Sequence, residues 1–482
     1  MQAELNHIPR VMIAGLRGGA GKTVVSIGIV SALTRLGKKV APFKKGPDYI
    51  DAGWLAMAAG RPCHNLDPFL FLADRLCKSF SRYSQNAHLS IIEGNRGLYD
   101  GLDARGTTST ASLAKILCVP VILCVDCTKA TRTMAAVVLG CLHFDPDVEI
   151  CGVVLNRVAG SRHEKILRSS IESTCNIPVL GVLPRLNPET FPERHMGLIP
   201  TPEHKLAVDA IESAAATADK CIDLDKIVSI AMGAASNPLS ASLKAGSRQS
   251  PDISVYAQDS ALNRPAGRVR IGVVRDSAFQ FYYPENLEAL ADEGADIVYV
   301  SPLSETRLPE IDGLYIGGGF PETHAVRLAE NVRFREALRK EVEAGLPVYA
   351  ECGGLMYLGR NLILDETSYP MVGVLPLVFG FSRRPQGHGY TLAVVGRENP
   401  YYSPGTRIKG HEFHYSRVLE WNGSDSDFAF SMEKGRGIIN GKDGLCYKNV
   451  LATYTHIHSL GMTGWAAAFV RSAQAYKRAL IK

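Results

Sequence analysis

A chain of 482 residues, 46% hydrophobic and 21% charged, has the composition of a globular protein with material for two or more cores. Its net charge of +5 at pH 7 is small for that length, and its Lys and Arg are scattered, so nothing demands a nucleic-acid partner and an anionic small molecule suits the balance equally well. The 11 cysteines are odd in number and irregularly spaced, several of them inside apolar runs such as VPVILCVDCT, which is the usage expected of reduced thiols in a cytoplasmic protein. Cys124 and Cys127 form a C-x-x-C without a second Cys/His pair nearby, and are read as structural. The opening MQAELNHIPR lacks an apolar signal core, and no later run is long enough to span a bilayer, so no membrane role is expected.

From residue 11 to about 215, short β-branched runs alternate with helix-like segments. VMIAG, KKVAPFKK, LSIIEG, VPVILCVD, EICGVVLNR and PVLGVLPR are the expected strands, and their rhythm predicts an α/β doubly wound parallel sheet. Residues 216–267 change texture to Ser, Ala and Gly and are expected as a linker, with one helix before it as an option. A second α/β pattern starts at RVRIGVVRD and continues through ADIVYVSPL, DGLYIGGGF and LPVYAECGG. The expected organisation is therefore a domain over 1–215, a linker over 216–267 and a second domain over 268–482.

After the first strand, LRGGAGKTVV reads as a phosphate loop running into a helix. Its glycines, Gly19 and Gly21 among them, let backbone N–H groups face phosphate oxygens; Lys22 adds charge and the Thr23 hydroxyl can hold Mg²⁺. The spacing departs from the common fingerprint, with five residues rather than four between Gly15 and Gly21. Asp48 and Asp51 in KKGPDYIDAGW, Glu93 ending LSIIEG, Asp126 ending VILCVD and Asn156 in LNRV all fall at carboxyl ends of strands, where open α/β sheets bind ligands. That coincidence points to one nucleotide site, with Thr23 and Asp48 or Glu93 as Mg²⁺ ligands beside ATP phosphates and Asn156 toward the base; turn and cap chemistry is the alternative for Asp48 and Asp51, and a strand-end cap for Asn156.

In the second half, LPVYAECGGLMYL places Cys352 between a strand and a helix. A sharp turn there presents the thiol as a nucleophile, with the helix N-terminus expected to lower its pKa. Gly353 and the Gly318–Gly319 pair of YIGGGFPE are candidates for an oxyanion hole. LATYTHIHSLG offers His456 and His458 as bases for the thiol proton.

The strings FKKGPDYIDAGW, EGNRGLYDG, YYPENL, GGGFPE, YAECGG and GHEFHYS, and the order of the two halves, resemble the cobyrinic acid a,c-diamide synthase family over nearly the whole chain outside the linker. The resemblance implies a dethiobiotin-synthetase-like P-loop synthetase domain followed by a class I glutamine amidotransferase domain. It implies that Cys352 attacks the glutamine side-chain amide with His456 as base, that ATP meets Gly21, Lys22 and Thr23, and that Asp48, Asp51 and Glu93 serve Mg²⁺ or the activated substrate. The implied partners are a tetrapyrrole, ATP and L-glutamine, with Tyr49 and Asp51 toward the macrocycle. Arg194 in FPERHMGLIP is read separately as a residue that helps bind an acidic ring. The enzyme is expected to be cytoplasmic, and a homodimer is one option for an oligomeric state the sequence leaves open. Many class I glutaminases carry Glu two residues after the active His; His458 stands there, which leaves the third triad member unassigned. The motif with His411, Glu412 and His414 lacks the H-E-x-x-H spacing and is expected as a structural or substrate-facing element, not a metal site. The loop LRGGAGKT and the segment DCTKATRT are unusual for the family, which keeps sirohaem and nickel-sirohydrochlorin amidases as alternatives. A ParA/MinD-like switch ATPase is a more distant one, since Arg17 stands where those proteins carry a signature Lys.

Overall fold

The computed structural model describes residues 7–185, 193–194, 197–203, 206–236 and 268–481. The chain divides into two compact units, Met1–Pro251 and Asp252–Lys482.

The first unit is built on seven parallel strands: β1 (Arg10–Gly15), β2 (Val40–Lys45), β3 (His64–Leu66), β4 (Leu89–Glu93), β5 (Val121–Asp126), β6 (Ile150–Val158) and β7 (Val179–Pro184), in the order β3-β2-β4-β1-β5-β6-β7. β1 pairs with β4 on one side and β5 on the other, so the chain reverses its winding there and opens a crevice at the carboxyl ends of these central strands. The strands are buried almost throughout, as apolar runs between two helix layers require. β3, only three residues long, is too short to leave a periodic signal in the sequence.

The helices that fix this crevice include α1 (Lys22–Arg35) and α2 (Ile50–Ala59). Residues 216–236, expected as the start of a linker, are helical instead: they complete one helix, Ala207–Cys221, and form most of a second, Leu224–Ser236. The Ala-rich texture that suggests a linker is what close packing needs. A Cβ on Gly28 of α1 would sit 2.8 Å from Ala214 O and 3.1 Å from Ala218 Cβ, so small residues on both helices let their backbones approach. Ile227 and Ala231 of the second helix are fully buried. The rest of that expected linker, 237–267, lies outside the described residues.

The second unit carries a ten-stranded mixed sheet. Its parallel half runs Ala295–Val300, Val269–Val274, Gly313–Ile316, Val348–Glu351 and Val450–Thr453; the sheet continues antiparallel through Lys442–Tyr447, Phe428–Lys434, Gly387–Val395, Arg407–His414 and His456–Ile457. The four strands expected from RVRIGVVRD, ADIVYVSPL, DGLYIGGGF and LPVYAECGG are all present. Because Val348–Glu351 and Val450–Thr453 are neighbours, the Cys352 turn and the late His segment emerge at one end of the sheet, 104 positions apart in sequence yet adjacent in space.

Among the described residues no helix is long and apolar enough to cross a membrane.

Candidate active sites

In the first unit the phosphate loop has the backbone its glycines predict. Gly19 and Gly21 take φ of 72° and 86°, a region side chains avoid, and Gly21 leads directly into α1. A Cβ on Gly21 would collide with the Asn156 amide, whose Nδ2 donates to Ala20 O at 2.9 Å. Asn156, expected near the base, is thus engaged with the loop itself, and its Oδ1 accepts from Arg157 N at 2.9 Å.

Around the loop stands a compact charge cluster. Thr23 Oγ1 donates to Glu93 Oε1 at 2.7 Å and lies 3.2 Å from Asp51 Oδ2, while Lys22 Nζ stands 3.8 Å from Glu93 Oε1. At its centre is Lys44, a fully buried residue of β2 that sequence reading passed over as strand. Its ammonium donates to Asp51 Oδ2 at 2.6 Å and Glu93 Oε1 at 3.0 Å and lies 3.4 Å from Asp48 Oδ2. Burial alone would strip the Lys44 charge, but these three carboxylates outweigh it and hold the pKa well above the usual lysine range. Burial likewise opposes ionisation of Asp51, yet the Lys44 and Lys22 charges and the hydrogen bond from Lys44 keep its carboxyl below the usual range. Asp48 goes the other way: burial and the neighbouring Asp51 charge push it up to about 6, against the pull of Lys44.

Its backbone role is separate, since Asp48 Oδ1 accepts from Asp51 N at 2.9 Å at the start of α2, the turn chemistry weighed from sequence. As pH falls through about 6 Asp48 takes up a proton and the site loses a negative charge. At a fixed concentration of free ammonia, product formation should therefore fall on that acid limb, and Asp48→Asn should remove the limb from the pH profile of kcat/KM for the carboxylate substrate. Asp126, at the end of β5, is already committed: it pairs with Arg17 at 3.2 Å, and the hydrogen bonds from Thr128 and the Arg157 guanidinium at 2.7 Å overcome burial and hold it at about 2. Tyr49 precedes α2 at the rim of the same loop. Arg194 lies in a two-residue strand, with its side chain and His195 outside the described residues.

In the second unit Cys352 occupies the turn between its strand and the six-residue helix Gly353–Leu358 with φ 48° and ψ −97°, a conformation costly for a residue with a side chain and the geometry of a nucleophile elbow. Its own N–H donates to Thr453 O at 2.7 Å. Gly353 packs so closely that a Cβ there would lie 3.0 Å from Gly319 N, and a Cβ on Gly318 would lie 2.5 Å from His456 Cε1. The two glycine turns and the His segment therefore meet at the thiol's turn, with the N–H groups of Gly319 and Gly353 brought together.

One expectation is corrected. The thiol pKa is raised, not lowered: Cys352 is buried, the carboxylates of Glu322, Glu351 and Glu412 bear on it, and the Gly353 N–H of so short a helix does not compensate. At rest the sulfur is a thiol that needs a base.

His456 Nδ1 lies 3.2 Å from Glu351 Oε2, both residues buried, and its ring stacks on His411 at 4.9 Å between centroids. His411 in turn meets Tyr283 Oη through Nε2 at 2.8 Å, and burial beside His456 and His458 keeps it neutral, its pKa well below the usual range. His458 Nε2 faces Glu285 Oε2 at 3.6 Å. The segment carrying both histidines is pinned by Asn286, which donates to Ile457 O at 2.9 Å and accepts from Ser459 N at 2.7 Å. Just upstream, the buried carboxylate of Asp443 accepts from Thr453 Oγ1, Tyr454 N, and Thr455 N and Oγ1. In the motif holding His411, Glu412 and His414, Glu412 accepts from the N–H groups of Arg436 and Gly437 at 2.6 and 3.1 Å.

Residues 11–198 match the CobQ/CobB/MinD/ParA nucleotide binding domain, and residues 270–463 the CobB/CobQ-like glutamine amidotransferase domain. The chain is 42% identical to a cobyrinate a,c-diamide synthase of Magnetococcus marinus over 96% of its own length and 97% of that protein's. The chain belongs to the cobyrinate a,c-diamide synthase family. Proteins of that name from Archaeoglobus fulgidus and Dehalococcoides mccartyi are each 39% identical over 98% of this chain and 98% and 99% of their own. Membership makes it a glutamine-hydrolysing ligase, with a nucleotide-binding P-loop domain ahead of a class I glutamine amidotransferase domain.

Within this family frame, sequence reading missed Lys44, Glu351 and Asn286. A lysine in the string FKKG does carry a signal in retrospect, because a charge inside an otherwise buried parallel strand needs partners. Glu351 was hidden by its neighbour: next to a presumed nucleophile it reads as the last residue of a strand. Asn286 belongs to the string YYPENL, which carried the resemblance without a physical role.

Proposed function

We propose that the protein amidates the a and c acetate side chains of cobyrinic acid, activating each carboxylate as an acyl phosphate with ATP and converting it with ammonia released from glutamine. The observation that carries this reading is the full-length likeness to proteins named for that substrate, on a chain that holds a charge-dense phosphate loop in one unit and, in the other, a cysteine at a strand–helix elbow and a buried imidazole–carboxylate pair.

A free carboxylate is a poor acyl donor because its leaving group would be oxide. In the first unit the substrate carboxylate oxygen attacks the γ-phosphorus of ATP and ADP departs; Lys22 and the loop N–H groups offset charge on the moving phosphoryl group. Ammonia then adds to the acyl carbon, phosphate leaves, and a proton is lost to give the amide. The donor set fits Mg²⁺: Glu93 Oε2 is buried without a hydrogen-bond partner, on the carboxylate that also receives Thr23 Oγ1, and one or two such oxygens complete a shell otherwise made of phosphate and water. Bound by Thr23 and Glu93, with Asp48 near, the cation would supply Lewis-acid neutralisation of the phosphates. Tyr49, Asp51 and Arg194 are assigned to the macrocycle.

In the second unit the Cys352 proton passes to His456, and the thiolate attacks the glutamine amide carbon. The N–H groups of Gly319 and Gly353, with Gly318 shaping the turn, receive the oxyanion, and the imidazolium returns its proton to the departing ammonia. Water then hydrolyses the thioester to glutamate. Free thiols at all 11 cysteines suit a cytoplasmic setting.

Mass spectrometry of products formed with ATP, Mg²⁺ and glutamine from cobyrinic acid, sirohaem and nickel-sirohydrochlorin tests the substrate. Diamide from cobyrinic acid alone is the expected result. Amide only on sirohaem or the nickel ring moves the protein to another tetrapyrrole with the same chemistry, and no amide on any of the three overturns the synthetase reading.

A further inference from the structure

We propose that Glu351, the residue immediately before the nucleophile, is the carboxylate that orients His456 and stabilises its imidazolium during glutamine hydrolysis. The proposal rests on the glutaminase reading above and supplies the member that the sequence left unassigned.

Three observations carry it. The first is position: His456 Nδ1 lies 3.2 Å from Glu351 Oε2, so a proton on Nδ1 points at the carboxylate and Nε2 is left as the acceptor of the thiol proton. The second is rigidity. Glu351 Oε2 also accepts from Tyr315 Oη at 3.1 Å, and its Oε1 accepts from Ile457 N at 3.2 Å, the residue next to His456 itself. The carboxylate is fully buried and cannot swing away. Asn286 Nδ2 contacts both Tyr315 Oη, at 3.3 Å, and Ile457 O, so one amide ties the orienting tyrosine to the His segment.

The third is the fate of the place where a Glu is often found. His458 occupies it and faces Glu285 Oε2 at 3.6 Å, while its Nδ1 accepts from Leu460 N at 3.2 Å; that pair braces the turn after the histidines. The carboxylate stands at the end of the strand before the nucleophile instead of two residues after the base. Adjacent parallel strands make the substitution possible: Glu351 pairs in register with Thr453, so its side chain lies level with the turn leading to His456.

The groups facing this pair do not compete for its charge. Tyr315, Tyr349, Tyr282 and Tyr402 surround Glu351, and burial pushes each above its usual range, so all are neutral at working pH. His456 and His458 bear on His411, which burial holds neutral, and Cys352 remains a thiol until its proton moves. Proton transfer from Sγ to Nε2 therefore creates the one new cation in this cluster, and Glu351 is the anion against it: the S–H bond breaks, an N–H bond forms, and the imidazolium later gives that proton to leaving ammonia.

The test is steady-state glutamine hydrolysis by the full chain across pH. Glu351→Gln keeps the shape but removes the charge. Its kcat should fall about 10²- to 10⁴-fold with little change in KM for glutamine, and the acid limb of kcat/KM should move to lower pH, because an imidazole without its carboxylate holds its proton less well. Tyr315→Phe, which deletes one hydrogen bond to the carboxylate, should shift the limb in the same direction by less. Glu285→Gln should leave the limb in place. Coincident pH profiles for Glu351→Gln and the parent would overturn the proposal, as would Glu285→Gln reproducing the loss. Should Glu351→Gln fail to fold, the Tyr315→Phe and Glu285→Gln profiles decide it: a shift only in the former supports it, a shift only in the latter or in neither sinks it. Failure of the underlying reading looks different: glutamine hydrolysis would survive Cys352→Ala.

Discussion

Cys352→Ala is expected to lower glutamine-dependent amidation by more than about 10³-fold while leaving product formation from ammonium salts in place. Removing the thiol removes the covalent step entirely, since no other side chain occupies the elbow between Val348–Glu351 and Gly353–Leu358. Relief of the positive φ at Cys352 is not a gain that Ala can make, because Ala carries the same Cβ; the fold should tolerate the change, and thermal unfolding of the variant should stay close to the parent's. The pair of assays separates the two halves of the reaction. Loss with both nitrogen sources would mean that Cys352 supports the synthetase unit in some structural way, and retention with both would remove it from catalysis.

Lys44→Met is expected to abolish product with glutamine and with ammonia alike, and to destabilise the first unit by roughly 3–5 kcal/mol. Met matches the length of the stem but leaves Asp51 and Glu93 without the ammonium that each contacts at 3.0 Å or less. Two carboxylates facing each other without a cation must take up a proton or draw apart, and either change displaces Thr23 from the phosphate loop's edge. Urea denaturation measures the first effect and ammonia-dependent amidation the second. A stable but inactive variant would assign Lys44 to chemistry alone; a destabilised variant that still makes amide would make it a purely structural cation. Glutamine hydrolysis retained in the same preparation would locate the damage in the first unit.

The legible part of the fold lay in runs whose periodicity has one physical meaning. Apolar β-branched strings such as VILCVD and VRIGVV cannot be solvated and cannot alternate, so they must be buried parallel strands. Gly19 and Gly21 of the phosphate loop and the Gly-rich turn at YIGGGF were legible for a related reason: a positive φ or a close neighbour at these positions disfavours a side chain. Residues 216–236 were misread because Ala is at home both in a loose connector and in a tightly packed helix, and the composition of the segment does not contain the surface of Gly28 that makes it the latter.

The sequence by itself determined where along the chain the candidate residues fall: Lys22 and Thr23 after a strand, Asp48 in the turn past a strand with Asp51 in the helix that follows, Glu93 at a strand end, Cys352 at a strand–helix turn, and His456 far downstream. Those assignments depend on short-range constraints, a few consecutive backbone conformations that the local residues dictate. Tertiary structure decided which of these groups meet and in what state of charge. Lys44 joins Asp48 and Asp51 of one turn to Glu93 of another strand, and Glu351 reaches His456 across two strands that are neighbours only in space. The Cys352 thiol is raised because burial, the adjacent Glu351 and two carboxylates far off in sequence, Glu322 and Glu412, outweigh one N–H. Electrostatic energy is set by distance and dielectric, and neither is written in the order of residues along a chain.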